Sequence, residues 1–146
     1  MGAADPAALQ GVVRVFGDTS FFFAVLERAD PNHARAVEIS AVMMSRGIEL
    51  VTTWEIIVEC VTLLRYRLGF WAAHKFLTEA VPAFSVYSVA EAERRAAVEF
   101  FLRRSRARRL SLCDAISYVV VSQRLAWVPC LSFDRDFRAL GLTVVG

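Results

Sequence analysis

Residues 12–22 read VVRVFGDTSFF. Val12, Val13, Val15 and Phe16 form a short β-branched and aromatic run of the kind that makes a strand, and Gly17 closes it. Asp18, Thr19 and Ser20 follow, all with side-chain oxygens suited to the start of a helix, and the apolar Phe21, Phe22 and Phe23 continue into one. The passage is therefore a strand, an acid and a helix in immediate succession. In an open parallel sheet, ligands bind outside the carboxyl ends of the strands. Asp18 falls at such an end, either as a helix cap or as a ligand.

Outward from this point the same alternation repeats. Helices are expected over residues 20–28 and 31–46, the second with Pro31 in its first turn. A strand follows at 48–52 (IELVT), then a helix over 53–67 that stops before Gly69. A further helix spans 70–80 and ends at Pro82. Residues 83–89 (AFSVYSV) read as a third strand at an edge of the sheet, and 90–104 as a long amphipathic helix. A nearly all-apolar helix covers 112–125. Strands at 127–132 and 142–145 flank a short helix over 134–140. Strands alternating with longer helical segments mark an α/β fold with a parallel sheet.

The chain has 146 residues, 56% of them hydrophobic, which suits one domain over residues 11–146 with a sizeable core. Residues 1–10 are expected to be a flexible extension. They lack the basic flank and long apolar run of a secretory signal. The longest apolar stretches, such as AISYVVV at 115–121, fall short of the roughly 20 residues a membrane span needs. No membrane partner is expected. Cys60, Cys113 and Cys130 are odd in number and form no CxxC pair. They read as packed free thiols in a reducing cytoplasm, not as disulfides or a zinc site. His33 and His74 read as solvated or locally bonded helix residues, which leaves no base beside Cys113 or Ser117 for nucleophilic hydrolysis.

A net charge of +2 neither requires nor excludes nucleic acid, but the charge is unevenly placed. Arg103, Arg104, Arg106, Arg108 and Arg109 put five arginines in seven residues, just before Asp114. A solvated helix face and a contact to a phosphate backbone are both open readings of this run.

Four acids carry the chemistry: Asp18, Glu59 in TTWEIIVEC, Asp114 in LSLCDAIS and Asp134 in LSFDRDF. Asp18 and Asp134 follow strands, and Asp114 lies in the first turn of the apolar helix. On a wheel of about 100 degrees per residue, Ile56 and Leu63 lie to one side of Glu59, which borders the apolar stripe. Glu55 lies farther toward solvent. Each acid has a structural alternative. Ser111 and Asp114 fit a capping box, Asp18 and Asp134 are able to cap the helices they precede, and Glu59 is within reach of Arg65 or Arg67. Acids in apolar surroundings are costly to ionise singly, so several from distant segments point to one site shared around a divalent cation. That makes the chain a candidate metal-dependent phosphodiesterase.

GDTSFF after a strand, VTTWEIIVECVTLLRYRLG, LSLCDAISYVVVSQR and LSFDRDFRALGL occur in this order over nearly the whole chain, from about Val12 to Val145. In this the sequence resembles PIN-domain ribonucleases, most of all the VapC-type toxins of type II toxin-antitoxin systems. The resemblance implies a three-layer α/β/α sandwich on a central parallel sheet and an acidic quartet of Asp18, Glu59, Asp114 and Asp134. Asp136 is a further acid able to substitute for or assist Asp134. It also implies an RNA substrate, a homodimer, and an antitoxin that lays an apolar segment in a groove. Gly17 departs from the family, which usually has an apolar residue there, and is expected to loosen the end of its strand. Trp54 is bulky for its place.

Asp18 and Asp114 are the expected principal metal ligands. Glu59 and Asp134 would complete the coordination or orient the ion's waters, and Thr19, Ser20 and Ser132 either aim the carboxylates or cap helices. Oxygen donors without nearby His or Cys favour Mg²⁺, with Mn²⁺ as its substitute, over zinc. No organic cofactor is implied. The competing reading is a non-catalytic RNA-binding or assembly module that uses the arginine run.

Overall fold

The computed structural model describes residues 6–146. Five parallel strands form one sheet in the order β3-β2-β1-β4-β5. They are β1 (Arg14–Gly17), β2 (Glu49–Thr53), β3 (Ser85–Tyr87), β4 (Cys130–Leu131) and β5 (Val144–Val145). The flanking helices are α1 (Thr19–Leu26), α2 (His33–Arg46), α3 (Trp54–Arg67), α4 (Phe70–Lys75), α5 (Glu91–Arg104), α6 (Leu112–Gln123) and α7 (Arg135–Arg138). Helix α1 packs on α2 and α3, α3 on α4, and α5 on α6. This is the α/β sandwich on a parallel sheet that the alternation of elements predicts.

The strand order fixes where a site can form. The chain adds β2 and β3 on one side of β1, then crosses to add β4 and β5 on the other. The order reverses between β1 and β4, and such a reversal opens a crevice at the strands' carboxyl ends. The floor is tightly built. Val15 and Phe16 are buried, and the Thr52 hydroxyl donates to the Gly17 carbonyl at 2.9 Å, tying β1 to β2.

Gly17 does not loosen the strand. A Cβ placed there would meet Phe22 Cζ at 2.5 Å and a methyl of Leu50 at 3.1 Å. The Phe22 ring stacks on Phe84 with centroids 4.8 Å apart and also meets Phe76, so it has little room to withdraw. The missing side chain is what admits the Phe22 ring beneath the site. Gly17→Ala is expected to destabilise the fold by about 1–3 kcal/mol through overpacking, read as a lower midpoint of denaturant unfolding.

Other differences from expectation have local causes. Of the expected loose extension, residues 1–5 lie outside the described residues, while Pro6–Leu9 form a 3-10 turn with Leu9 in the main core. That part is docked because Leu9 offers an apolar anchor. Pro31 precedes α2 rather than entering it, because the Asp30 carboxylate accepts from Asn32 N–H at 2.7 Å and holds a turn there. Helix α4 runs into a π-helical turn, Phe76–Ala80, and a 3-10 turn, Val81–Ala83, so Pro82 sits inside a turn instead of ending a helix. The fourth strand starts at Cys130 because Ala126 and Trp127 have φ of 51° and 59°, a left-handed conformation no strand accommodates. Trp54 causes no packing conflict, since it opens α3 with its ring largely in solvent.

Helix α5 hides an acid that its amphipathic pattern does not reveal. Glu93 is 2% exposed and accepts hydrogen bonds from Ala90 N–H, Tyr87 Oη and Arg124 Nε. It joins the end of β3, the start of α5 and the end of α6. Among the described residues no helix is long and apolar enough to cross a membrane.

Candidate active site

Asp18, Glu59, Asp114 and Asp134 line a single cleft of about 640 Å³, together with Asp136. Each arrives on a different element. Asp18 stands one residue beyond β1, Glu59 on α3, Asp114 in the first turn of α6, and Asp134 at the N-cap of α7, just past β4. Asp18 and Asp114 are buried, Asp134 is half-buried, and Glu59 and Asp136 are exposed. Glu55 is more buried than Glu59, the reverse of the wheel's expectation. One of its carboxylate oxygens is buried without a hydrogen-bond partner, and it does not line the cleft.

Asp18 is the most constrained of the set. It occupies the N-cap position of α1, yet its side chain makes no capping hydrogen bond. Instead Oδ2 accepts from Ser20 Oγ at 2.9 Å and from Ser132 Oγ at 2.8 Å, the second bond crossing the crevice between β1 and β4. Both hydroxyls are themselves acceptors, Ser20 from Phe133 N–H and Ser132 from Asp134 N–H. A hydroxyl that accepts from a backbone N–H keeps its own proton free to donate, and a carboxylate oxygen, which can only accept, lies within reach of both. The turn after β4 thus orients the acid after β1. Of the three hydroxyls considered from sequence, Ser20 and Ser132 aim a carboxylate, while Thr19 Oγ1 is buried with no partner at the wall of the cleft.

The other acids combine tasks. Asp114 and Ser111 form the reciprocal capping box of α6: Ser111 Oγ accepts from Asp114 N–H at 3.0 Å and Asp114 Oδ2 from Ser111 N–H at 3.1 Å. Asp134 caps α7 by accepting from Asp136 N–H at 2.8 Å. Capping holds both carboxyl groups on the cleft wall without neutralising them. No ion pair among the described residues involves any of the four acids, including Glu59 with Arg65 or Arg67.

The electrostatics follow from that. Burial pushes the Asp18 carboxyl up to about 6, against the lowering effect of Ser132 and Ser20, and the Asp114 charge adds to the rise. Burial likewise raises Asp114, opposed by Ser111 and reinforced by Asp134 and Glu59. Cys60 and Cys130 are pushed up to about 12 by burial, and Cys113 higher still, so these thiols stay protonated. His33 bonds the Ala24 carbonyl and His74 packs on Trp71; neither lines the cleft.

A hard divalent cation fits this donor set. The cleft offers carboxylate oxygens, an orphaned buried hydroxyl and more acids than the two arginines on its walls can balance, with no imidazole or thiolate there. Among the described residues no group of three or more His, Cys, Asp or Glu side chains stands arranged to hold a metal ion.

Residues 15–142 match the family model of the PIN domain. The chain belongs to the PIN-domain family. Within it, this PIN domain is similar to VapC20 of Mycobacterium tuberculosis, a Sarcin-Ricin loop cleaving toxin, at 28% identity and a TM-score of 0.75, over 88% of this chain and 96% of that one. PAE2754 from Pyrobaculum aerophilum shares the fold at 22% identity and a TM-score of 0.59, over 91% and 90% of the two chains. FitAcB from Neisseria gonorrhoeae does so at 12% identity and a TM-score of 0.60, over 90% and 96%. No curated protein sequence matches the chain.

The PIN cleft also contains residues that sequence reasoning left open or missed. Arg108 and Arg109, two of the five clustered arginines, line it, whereas Arg103, Arg104 and Arg106 do not. Ser105 and Leu110 line it as well. They lie in the α5–α6 connection, where no periodicity marks a residue's direction.

Proposed function

We propose that this PIN domain is a Mg²⁺-dependent endoribonuclease that hydrolyses RNA phosphodiester bonds as the toxin of a VapC-type toxin-antitoxin pair. The observation that carries the reading is the convergence of Asp18, Glu59, Asp114 and Asp134, from four separate elements, on one cleft with no counter-cation bonded to them. The likeness to VapC20, a toxin that cleaves the Sarcin-Ricin loop, supports RNA as the substrate class.

Asp18 and Asp114 are the principal ligands in this reading, being the two buried acids. Glu59 and Asp134 complete the coordination or orient water from the more open side, and Asp136 stands beside Asp134. A Mg²⁺ or Mn²⁺ bound there would supply a more acidic water and neutralise charge developing on the phosphoryl oxygens. The chain's own part is orientation. Ser20 and Ser132 fix the Asp18 carboxylate, and the caps of α6 and α7 fix Asp114 and Asp134. Ser132→Ala removes one donor to Asp18 and the acceptor of Asp134 N–H together. It is expected to lower metal affinity or cleavage by about 10- to 100-fold with the fold retained.

An antitoxin partner is supported by an apolar groove of about 430 Å³ whose walls include Phe21, Phe22, Leu26, Met43, Phe76 and Phe84. It lies between α1, α2 and the turns after α4, and an apolar segment is the occupant its walls suit. A homodimer accords with the exposed Trp54, Val58, Tyr66 and Trp71 on α3 and α4. Three buried or half-buried thiols with no disulfide suit a reducing cytoplasm.

The test is incubation with a mixed RNA pool. New RNA ends are expected with Mg²⁺ or Mn²⁺ and none with EDTA. RNA binding without metal-dependent cleavage would instead favour the non-catalytic module.

A further inference from the structure

The loop joining α5 to α6 is rigidly placed despite its charge. Leu110 is buried in a small apolar cluster with Ala97, Phe100, Ala115 and Val119, and the Ser105 hydroxyl donates to the Leu110 carbonyl at 2.9 Å, closing the loop on itself. Arg108 is tethered as well, its Nη1 donating to the Ala139 carbonyl beyond α7 at 2.9 Å. Arg108 and Arg109 are exposed and form no ion pair with the acids whose cleft they share. They also face a second recess of about 440 Å³, bounded by Ala107, Leu110, Asp136, Ala139 and Leu140. The acidic cleft and this recess have Arg108, Arg109, Leu110 and Asp136 in common, so the arginines form a saddle between two adjoining hollows.

Resting on the ribonuclease reading, we infer that this saddle is a nucleotide subsite: Arg108 and Arg109 hold a backbone phosphate next to the scissile one, and the recess receives the flanking nucleotide. Guanidinium groups suit the task because their planar forks match phosphate oxygens and stay charged at any working pH. A strand carrying phosphates into a cleft of carboxylates meets repulsion there. Two unpaired cations on the rim offset it and fix the strand's path. Ala107, Leu110, Ala139 and Leu140 give the recess an apolar side for a base, and Arg108 and Arg109 a basic edge for its phosphate, with Asp136 the one acid on its wall. Arg108 and Arg109 act here as positioning residues, with no part in bond cleavage.

The experiment uses the full chain carrying Asp18→Asn, which silences cleavage, and a fluorescent single-stranded RNA of mixed sequence, with affinity measured by anisotropy across a salt series. Adding Arg108→Ala or Arg109→Ala is expected to reduce the slope of log affinity against log salt by about 0.7 each. That corresponds to about fourfold weaker binding per arginine at physiological salt. Arg109→Lys retains the slope. Arg103→Ala, equal in charge but lining neither hollow, leaves it unchanged. In the cleaving parent the same two alanine changes raise KM with little loss of kcat.

Equal losses from Arg103→Ala would show a diffuse field and overturn the subsite. RNA binding unaffected by Arg108→Ala and Arg109→Ala, in a protein whose parent cuts RNA, overturns the subsite alone. A parent that neither binds nor cuts RNA overturns the ribonuclease reading with it.

Discussion

Asp18→Asn or Asp114→Asn is expected to lower RNA cleavage by at least about a hundredfold, a barrier increase of about 3 kcal/mol, with the protein still folded. Asparagine keeps the shape of aspartate and loses its charge. An asparagine at 18 still offers an oxygen to Ser20 and Ser132, and one at 114 still accepts from Ser111 N–H, so the hydrogen bonds around α1 and α6 persist. What disappears is one of the two buried negative charges available to a cation. Glu59→Gln and Asp134→Asn remove more exposed carboxylates and should cost less. Cleavage rates with RNA ends mapped by sequencing, alongside circular dichroism of each variant, check both halves. An Asp18→Asn or Asp114→Asn protein that cuts RNA like the parent contradicts the assigned roles.

Stability without metal should fall as pH rises from about 4 to 6, and Asp18→Asn should remove much of that fall. The sign follows from the raised Asp18 pKa. Its ordinary value is 3.8, and burial raises it to about 6 in the fold. Between these values the native state binds more protons than the unfolded chain, so deprotonation on raising the pH favours unfolding. The stabilising contribution is full below about 3.8 and lost once the pH passes about 6. Asp114, facing Asp18 from α6, is raised as well and acts in the same direction. Ser20 and Ser132 oppose the shift without cancelling it. In chelator at pH 8, Asp18→Asn is thus expected to be more stable than the parent, by at most about 3 kcal/mol. Added Mg²⁺ or Mn²⁺ reverses the order, because it stabilises only the native parent. Thermal melts of both proteins across pH, with and without metal, read this directly. A parent whose melting temperature is indifferent to both metal and pH would contradict it.

These expectations rest on a site that the sequence displayed in part. The strand at β1, the acid after it and the capping box at Ser111 and Asp114 are local features, encoded by neighbours within a few residues, and so could be read directly. That Asp18 and Asp134 line one cleft across β1 and β4 depends on strand order, which local periodicity does not encode; family resemblance supplied that step. Gly17 looked like a weakness because its function lies in the Phe22 ring, distant in neither sequence nor space but invisible to a pattern of polar and apolar positions. Glu93 had no signal at all, since an acid in the first turn of an exposed-looking helix usually faces water. Glu59 lines the cleft as the sequence suggests, but its burial relative to Glu55 is reversed, because a helical wheel gives angles about an axis and not what packs against each end. The arginine run divides in a way that its charge pattern does not show: Arg103, Arg104 and Arg106 lie away from the cleft, and Arg108 and Arg109 on its wall.

The most direct measurement is anomalous X-ray scattering from crystals of the full chain soaked in Mn²⁺. A peak within about 2.0–2.6 Å of carboxylate oxygens of both Asp18 and Asp114, and absent in Asp18→Asn crystals, is the expected result. A manganese peak elsewhere, or none between these two acids at saturating metal, would contradict the claim that they share an ion.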